Sequence, residues 1–456
     1  MRRVVKVSRI RIIITIIVVV LTTLLTGCTG KEPNEIAYVV ALGIDSTDDD
    51  NYKITIQYAN TTQISGGASE SGGKAGSEIV DNVTIEAPNI YAGVGLANNI
   101  VSKSFSMSHA KLIVFSKEIA EKGVKDMIET LVRSEEIRPD VFIAVANTTA
   151  NDYLTSVNPE MEVNPAQYYQ LIYQKNQLVG IPDGQLREFF TGLYTDNYDS
   201  ILPVAGVIEG AGGNSQNDDR EQAKDGQNEG SEGSSESLDS FESKSSDDKD
   251  ENEKEKDAEK NTSKYEYDIK NYVGGETAIE KKNKAEAIGA AVFEKDKMVG
   301  ELGEVETEIC KMLKGDYTYS YLTYYNNDTP DIPITVKTTQ QKKPKYKIDT
   351  DKKTVDIELY IESDIYSLPA DYNVENKIED FERDVANYTS SACTEFINNF
   401  TKKYNSDILK LNEKVKYKFL TNNQYNWFKK NVGWSEYKFS VCTNFKVRRT
   451  GLIVRE

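Results

Sequence analysis

Runs and alternations of apolar residues predict most of the elements of this chain. Residues 12–25 (IIITIIVVVLTTLL) form one uncharged apolar run. Residues 36–44 (IAYVVALGI) and 52–58 (YKITIQY) are rich in β-branched and aromatic side chains and flank the polar STDDDN, which predicts a hairpin. A third strand is expected over 79–86, after a Gly/Ser-rich loop at 61–78. A helix opened by Pro88 then runs to Ser102. Residues 108–146 read strand, helix, strand, with Met127, Leu131 and Val132 helically spaced, an α/β order. Asn151 or Asp152 is expected to cap a short helix carrying Leu154. Tyr-rich helices follow near 164–177 and 183–193, and a strand at 201–208.

The pattern breaks at 211–284, where Gly, Ser, Asn, Asp, Glu and Lys dominate. That segment carries 21 acidic and 12 basic residues, a net of −9, half of the chain's formal −18. Such a composition predicts a disordered acidic insertion, with 265–273 (YEYDIKNYV) as its most order-prone part. Beyond it, IGAAVFEKDKMVGEL (288–302) reads as a hairpin with a Lys-Asp-Lys turn, and 201–208 is expected to pair with 287–293. A short helix follows near 303–314. The last third predicts strands at 332–338, 343–348 and 353–362. In the third of these Val355, Ile357, Leu359 and Ile361 share one face. A long helix over 374–403 follows, with Ile378, Phe381, Val385, Tyr388, Ala392, Phe396 and Phe400 on one stripe. Strands at 414–420 and 436–448 close the chain.

The fold class is therefore α/β to α+β, with two or three consecutive domains, each a mixed or antiparallel sheet packed by helices. The expected division is 1–27 signal peptide, 36–146 N-terminal domain, 147–210 plus 285–330 middle domain, 211–284 insertion and 331–456 C-terminal domain. A length of 456 residues is consistent with that number of cores.

The N-terminus changes the picture most. Arg2, Arg3, Lys6, Arg9 and Arg11 precede the apolar run, and Leu25-Thr26-Gly27-Cys28 follows it. As a helix, fourteen residues span about 21 Å, short of the roughly 30 Å hydrocarbon core. The run suits a signal peptide rather than a membrane span. Leu-Thr-Gly-Cys looks like a bacterial lipobox. The Cys28 thiol would form a thioether with diacylglycerol, the small residues before it would let a signal peptidase cut there, and two acyl chains anchor stably where one is marginal. Losing the five basic residues leaves the mature chain near −23. A body of that charge gains nothing from nucleic-acid phosphates and is repelled by anionic lipid headgroups, so something other than surface charge must hold it to a membrane.

Catalytic chemistry is not in evidence. His109 stands alone, with no second histidine to share a metal. There is no G-x-S-x-G elbow, no Walker A and no Rossmann fingerprint. Cys310, Cys393 and Cys442 contain no C-x-x-C pair and are expected to be buried free thiols. No enzyme activity, metal or cofactor is expected.

Four stretches carry a family likeness: PNEIAYVVALGID (33–45), SHAKLIVFSKEIAEKGVKDMIETLVRSEEIRPDVFIAVA (108–146), GAAVFEKDKMVGEL (289–302) and KVRRTGLI (446–453), with Arg448, Arg449 and Gly451. Behind a lipobox and in this order, they make the chain resemble the C-subunit lipoproteins of spore germinant receptors, the Ger(x)C family. The resemblance covers nearly the whole mature chain except 61–78 and 211–284. It implies a subunit without catalytic chemistry, held at the outer face of the spore inner membrane beside a membrane-embedded A-type and a transporter-like B-type subunit. The residue it carries over is the lipid-bearing Cys28. The competing expectation is a solute-binding lipoprotein feeding a transporter, against which the antiparallel C-terminal third argues.

Overall fold

The computed structural model describes residues 13–18, 35–49, 51–59, 80–158, 164–174, 180–195, 197–208, 271–277, 283–326, 329–369, 372, 374, 377–404 and 406–451. Cys28, the loop at 61–78 and most of 211–284 lie outside these residues. Residues 13–18 are helical, and no described helix is long and apolar enough to cross a membrane.

Two sheets organise the described chain. The first is nine-stranded among the described residues. Its centre is four parallel strands, β1 (Ile36–Ser46), β5 (Leu112–Ser116), β6 (Phe142–Ala146) and β7 (Ile201–Val207). On one side β2 (Tyr52–Ala59) and β3 (Val80–Ala87) continue antiparallel from β1. On the other, β8 (Ala285–Glu294) and β9 (Lys297–Leu302) continue antiparallel from β7, and the short β4 (Ser104–Ser106) pairs with the start of β1. The central strands are near-continuous apolar runs because both of their faces are covered. Helices α1 (Ile90–Ala97), α2 (Lys117–Lys122), α3 (Lys125–Val132) and α6 (Leu186–Thr195) bury Ile90, Ile119, Ile128 and Phe189 against one face. Helices α4 (Ala150–Ser156) and α5 (Pro165–Gln174) bury Tyr153, Tyr169 and Tyr173 against the other.

The second sheet is two-layered. Its strands are β10 (Tyr319–Asn326), β11 (Thr329–Gln340), β12 (Lys345–Asp349), β13 (Thr354–Ser367) and β14 (Lys438–Arg449). Central β13 pairs antiparallel with β11 and β12 on one side and parallel with β14 on the other. The alternation of Val355, Ile357, Leu359 and Ile361 buries one face under α8 (Ile378–Tyr404), whose Phe381, Val385, Phe396 and Phe400 are buried as the stripe requires. α7 (Glu304–Lys314) joins the two sheets, and Cys310 and Leu313 pack into the second core.

The structure bears out the fold class. It also confirms the hairpins at 36–58 and 288–302, the pairing of 201–208 with 287–293 and the long C-terminal helix. The nine-stranded sheet takes strands from both the 36–146 and the 147–210 plus 285–330 segments. β10 joins the second sheet although it precedes residue 331.

Several expectations are corrected. The helix from Pro88 stops at Ala97, because Asn98 Oδ1 accepts from Phe105 N–H at 2.8 Å and turns the chain back towards β4. The cap of α4 is Thr149, not Asn151 or Asp152. Its hydroxyl accepts from Asp152 N–H, while the Asp45 carboxylate accepts from Ala150 and Asn151 N–H at 2.6 and 3.0 Å. The strand expected at 414–420 is instead α9 (Leu411–Val415) and a 3-10 turn, Lys416–Lys418. Lys and apolar residues alternate there, but the buried pair is Leu411 and Val415, four apart, and Tyr417 faces solvent. Finally, the end of the acidic segment is ordered at 271–277 and lies on the first sheet. Gly274 N–H donates to Ile288 at 2.9 Å, and Asn147 Nδ2 donates to the Gly274 carbonyl at 2.7 Å. Glycines permit this approach: a Cβ on Gly206 would sit 2.1 Å from the Gly274 carbonyl carbon, and Gly275 has φ +97°.

Candidate functional surface

The buried charges are engaged in structure. Asp45 holds the start of α4, and burial raises its carboxyl above the usual range. Glu286 accepts from Gly275 N–H and the Thr277 hydroxyl, which fastens 271–277. Tyr169 Oη donates to Gln57 Oε1 at 2.6 Å, and Gln57 Nε2 to the Leu154 carbonyl at 2.9 Å, so the tyrosine core between α4, α5 and the sheet is polar but internally bonded.

A polar seam joins the two sheets. Asp199 N–H donates to the Asp407 carbonyl at 3.1 Å, and Asp407 N–H donates to the Asp199 carboxylate at 2.9 Å. The other Asp199 oxygen accepts from Lys295 N–H at 3.2 Å. The Asp407 carboxylate accepts from Leu411 and Asn412 N–H at 2.7 and 2.8 Å, which satisfies two donors at the start of α9. Burial pushes the Asp407 carboxyl up to about 7, against the pull of those N–H groups. Beside it Lys410 pairs with Glu188 and lies 4.2 Å over the Tyr198 ring.

A prominence built from 411–437 rises next to this seam. Thr421 caps α10 (Asn422–Asn431), accepting from Gln424 N–H at 3.3 Å. Tyr425 and Phe428 point inward, three apart, onto Phe419, Trp434 and Tyr437. The Phe419–Phe428 ring centroids are 5.0 Å apart and those of Trp434–Tyr437 are 4.7 Å apart. This aromatic bed is tied to the segment between α6 and β7: Tyr425 Oη donates to Asn197 Oδ1 at 3.1 Å and Lys429 Nζ to the Thr195 carbonyl at 3.3 Å. On its outer side Tyr417, Leu420 and Trp427 are 92%, 94% and 64% exposed. Trp427 and Leu420 border a shallow groove shared with Lys418, Phe419, Asn423 and Gln424.

Of the residues singled out in the sequence, Cys28 lies outside the described residues. His109 is exposed, its ring edge-on to Tyr38 at 4.9 Å, and no group of three potential metal ligands occurs among the described residues. Cys310, Cys393 and Cys442 are free thiols. The first two are buried as expected, but Cys442 is exposed, because β14 alternates and places it on the outer face. Asp199, Asp407 and the exposed apolar trio carry no local signal in the sequence. Only the lysine-rich stretch around the trio does.

Two consecutive mixed α/β units, joined by a polar seam and braced by internal hydrogen bonds, define the class of the molecule. The chain belongs to the GerAC-like family of spore germination proteins: the family model "Spore germination protein N-terminal domain" matches residues 30–207, and "Spore germination B3/ GerAC like, C-terminal" matches 288–451. Among its relatives is spore germination protein KC of Bacillus subtilis (strain 168), 26% identical over 174 residues, which cover 35% of this chain and 42% of that one. Spore germination protein B3 of the same organism is 26% identical over 148 residues, 30% of this chain and 36% of the relative. These matches span less than half of each relative's length. A crystal structure of the GerBC protein aligns over 89% of this chain and 96% of its own, at 15% identity and a TM-score of 0.48.

Proposed function

We propose that this chain acts in spore germination as a non-catalytic lipoprotein subunit of a nutrient (germinant) receptor, beside membrane-embedded A-type and B-type subunits. The observation that carries the reading is the ordered pair of family matches, at 30–207 and 288–451, which together take in both sheets and stand directly behind a lipobox. On this reading Cys28 bears diacylglycerol and holds the acidic body on the outer face of the membrane, which its net charge alone would not do. The buried carboxylates support a scaffold role, since each is bonded to backbone or hydroxyl donors within the fold. Affinity purification of the tagged chain from solubilised spore membranes tests the proposal. Two integral membrane proteins should co-purify, and deleting the chain should abolish the response to at least one nutrient. Recovery of the chain alone, with germination intact in the deletion strain, would overturn it.

A further inference from the structure

The prominence at 411–437 inverts the charge of the molecule. Between Lys414 and Ser435 there are five lysines and no aspartate or glutamate, in a chain whose net charge is −18. Lys416 and Lys430 are exposed beside Tyr417, Leu420 and Trp427, Lys429 borders them over the Tyr425 ring, and Lys418 gives its ammonium to the Ile348 carbonyl. Lys414 is turned inward to the Leu409 carbonyl. Glu413 and Glu436 bracket the segment, the latter paired with Lys353. Large apolar side chains standing this far out on a rigid aromatic bed mark a surface that meets something. An exposed Trp and Tyr with a Leu, ringed by lysines, match the layered chemistry of a bilayer interface: indole and phenol at headgroup depth, Leu in the acyl boundary, ammonium groups on phosphate.

Topology puts this surface beside the edge of the first sheet at which β1 begins. β1, β5, β6 and β7 run parallel, so their N-terminal ends share one edge of the first sheet. Residues 197–200 enter β7 from that edge, and Asn197 receives the Tyr425 hydroxyl. Ile36 begins β1 at the same edge, eight residues after Cys28. Eight extended residues reach at most about 26–29 Å. The three strand spacings from β1 to β7 are about 14 Å. A lipid on Cys28 and the Trp427 surface can therefore meet one membrane together.

We infer that Tyr417, Leu420 and Trp427, with Lys416 and Lys430, form a docking face for an anionic phospholipid surface, which orients the body on the membrane. The orientation rests on the lipid-anchor reading above, but the affinity does not. The test uses the chain from residue 29 onward, which keeps every described strand and lacks the anchoring cysteine. Its partition is measured by sedimentation with vesicles of phosphatidylcholine alone and of phosphatidylcholine mixed with phosphatidylglycerol. The chain should bind the anionic vesicles only and be released by salt. The chain has two tryptophans, of which Trp434 is buried, so a blue shift of the emission on binding reports Trp427. Lys416→Glu with Lys430→Glu, and separately Leu420→Ala with Trp427→Ala, should each weaken partition by about tenfold or more with unchanged melting, since all four positions are exposed. Equal binding to both vesicle types, no binding, or insensitivity to these variants would overturn the inference. So would loss of the membrane-protein partners in the same variants without any vesicle binding by the parent chain, which would give the face to a protein. Because the test chain lacks Cys28, a failure of lipid attachment and a failure of this face are read separately.

Discussion

Asp199 and Asp407 each bind the other's main chain: Asp199 N–H donates to the Asp407 carbonyl at 3.1 Å, and Asp407 N–H to the Asp199 carboxylate at 2.9 Å. This reciprocal pair fixes the junction between the two sheets, and the second Asp199 oxygen extends it to Lys295 in the β8–β9 turn. Asp199→Ala leaves two backbone donors without their acceptor, one of them part-buried. A loss of about 1–3 kcal/mol is expected from the denaturant midpoint. Unchanged stability would mean that water replaces the carboxylate at no cost.

The partner carboxylate makes the junction sensitive to pH. Burial lifts Asp407 from 3.8 to about 7 in the folded chain, so the folded state holds this proton more tightly than the unfolded one. Its contribution to stability is full below about pH 4 and is lost as pH rises through about 7. Asp407→Asn removes this titration and should flatten the decline between those values by roughly 2–4 kcal/mol. Chemical denaturation across pH 4–8 measures it. Two profiles separated by a constant offset would contradict the assignment.

Gly206 passes Gly274 too closely to carry a side chain. Gly206→Val should cost about 1–3 kcal/mol or more and lift 271–277 from the sheet. Faster proteolytic cleavage near this segment, together with a lower melting temperature, is the expected signature. Unaltered cleavage and melting would show that the contact can shift without loss.

The three thiols should separate by reactivity. Cys442 stands on the exposed face of β14, while burial pushes Cys310 up to about 11 and Cys393 to about 12. In the chain from residue 29, one maleimide should attach to the folded protein, at Cys442, and two more only after denaturant. Rapid labelling of Cys310 or Cys393 would contradict their place in the core.

Periodicity made much of this fold legible. The alternation through Val355–Ile361 and the stripe from Phe381 to Phe400 each name a buried face without ambiguity, and the structure uses both. It misled where two periods coincide: Lys414 to Leu420 alternates like a strand, but Asp407 supplies a distant cap for Leu411 and Asn412 and a helix forms. Composition misled at 271–277, since Gly-rich polar segments have no apolar signal and this one is held by backbone and Glu286. The proposed lipobox at Cys28 is legible because a motif of that kind is linear and needs no fold to be recognised. The Trp427 surface is not, because Phe428 beside it is buried and only the packed α10 determines which of the two faces out.

The central claim is that a lipid on Cys28 holds a germination subunit at its membrane. Spores in which Cys28→Ala replaces the parent chain test it most directly, with membrane fractionation and nutrient-triggered germination read on the same preparation. The account predicts that the parent chain sediments with the membrane and supports germination, whereas the Cys28→Ala chain is lost from the membrane and germination is impaired. Normal germination with an unlipidated chain would contradict it.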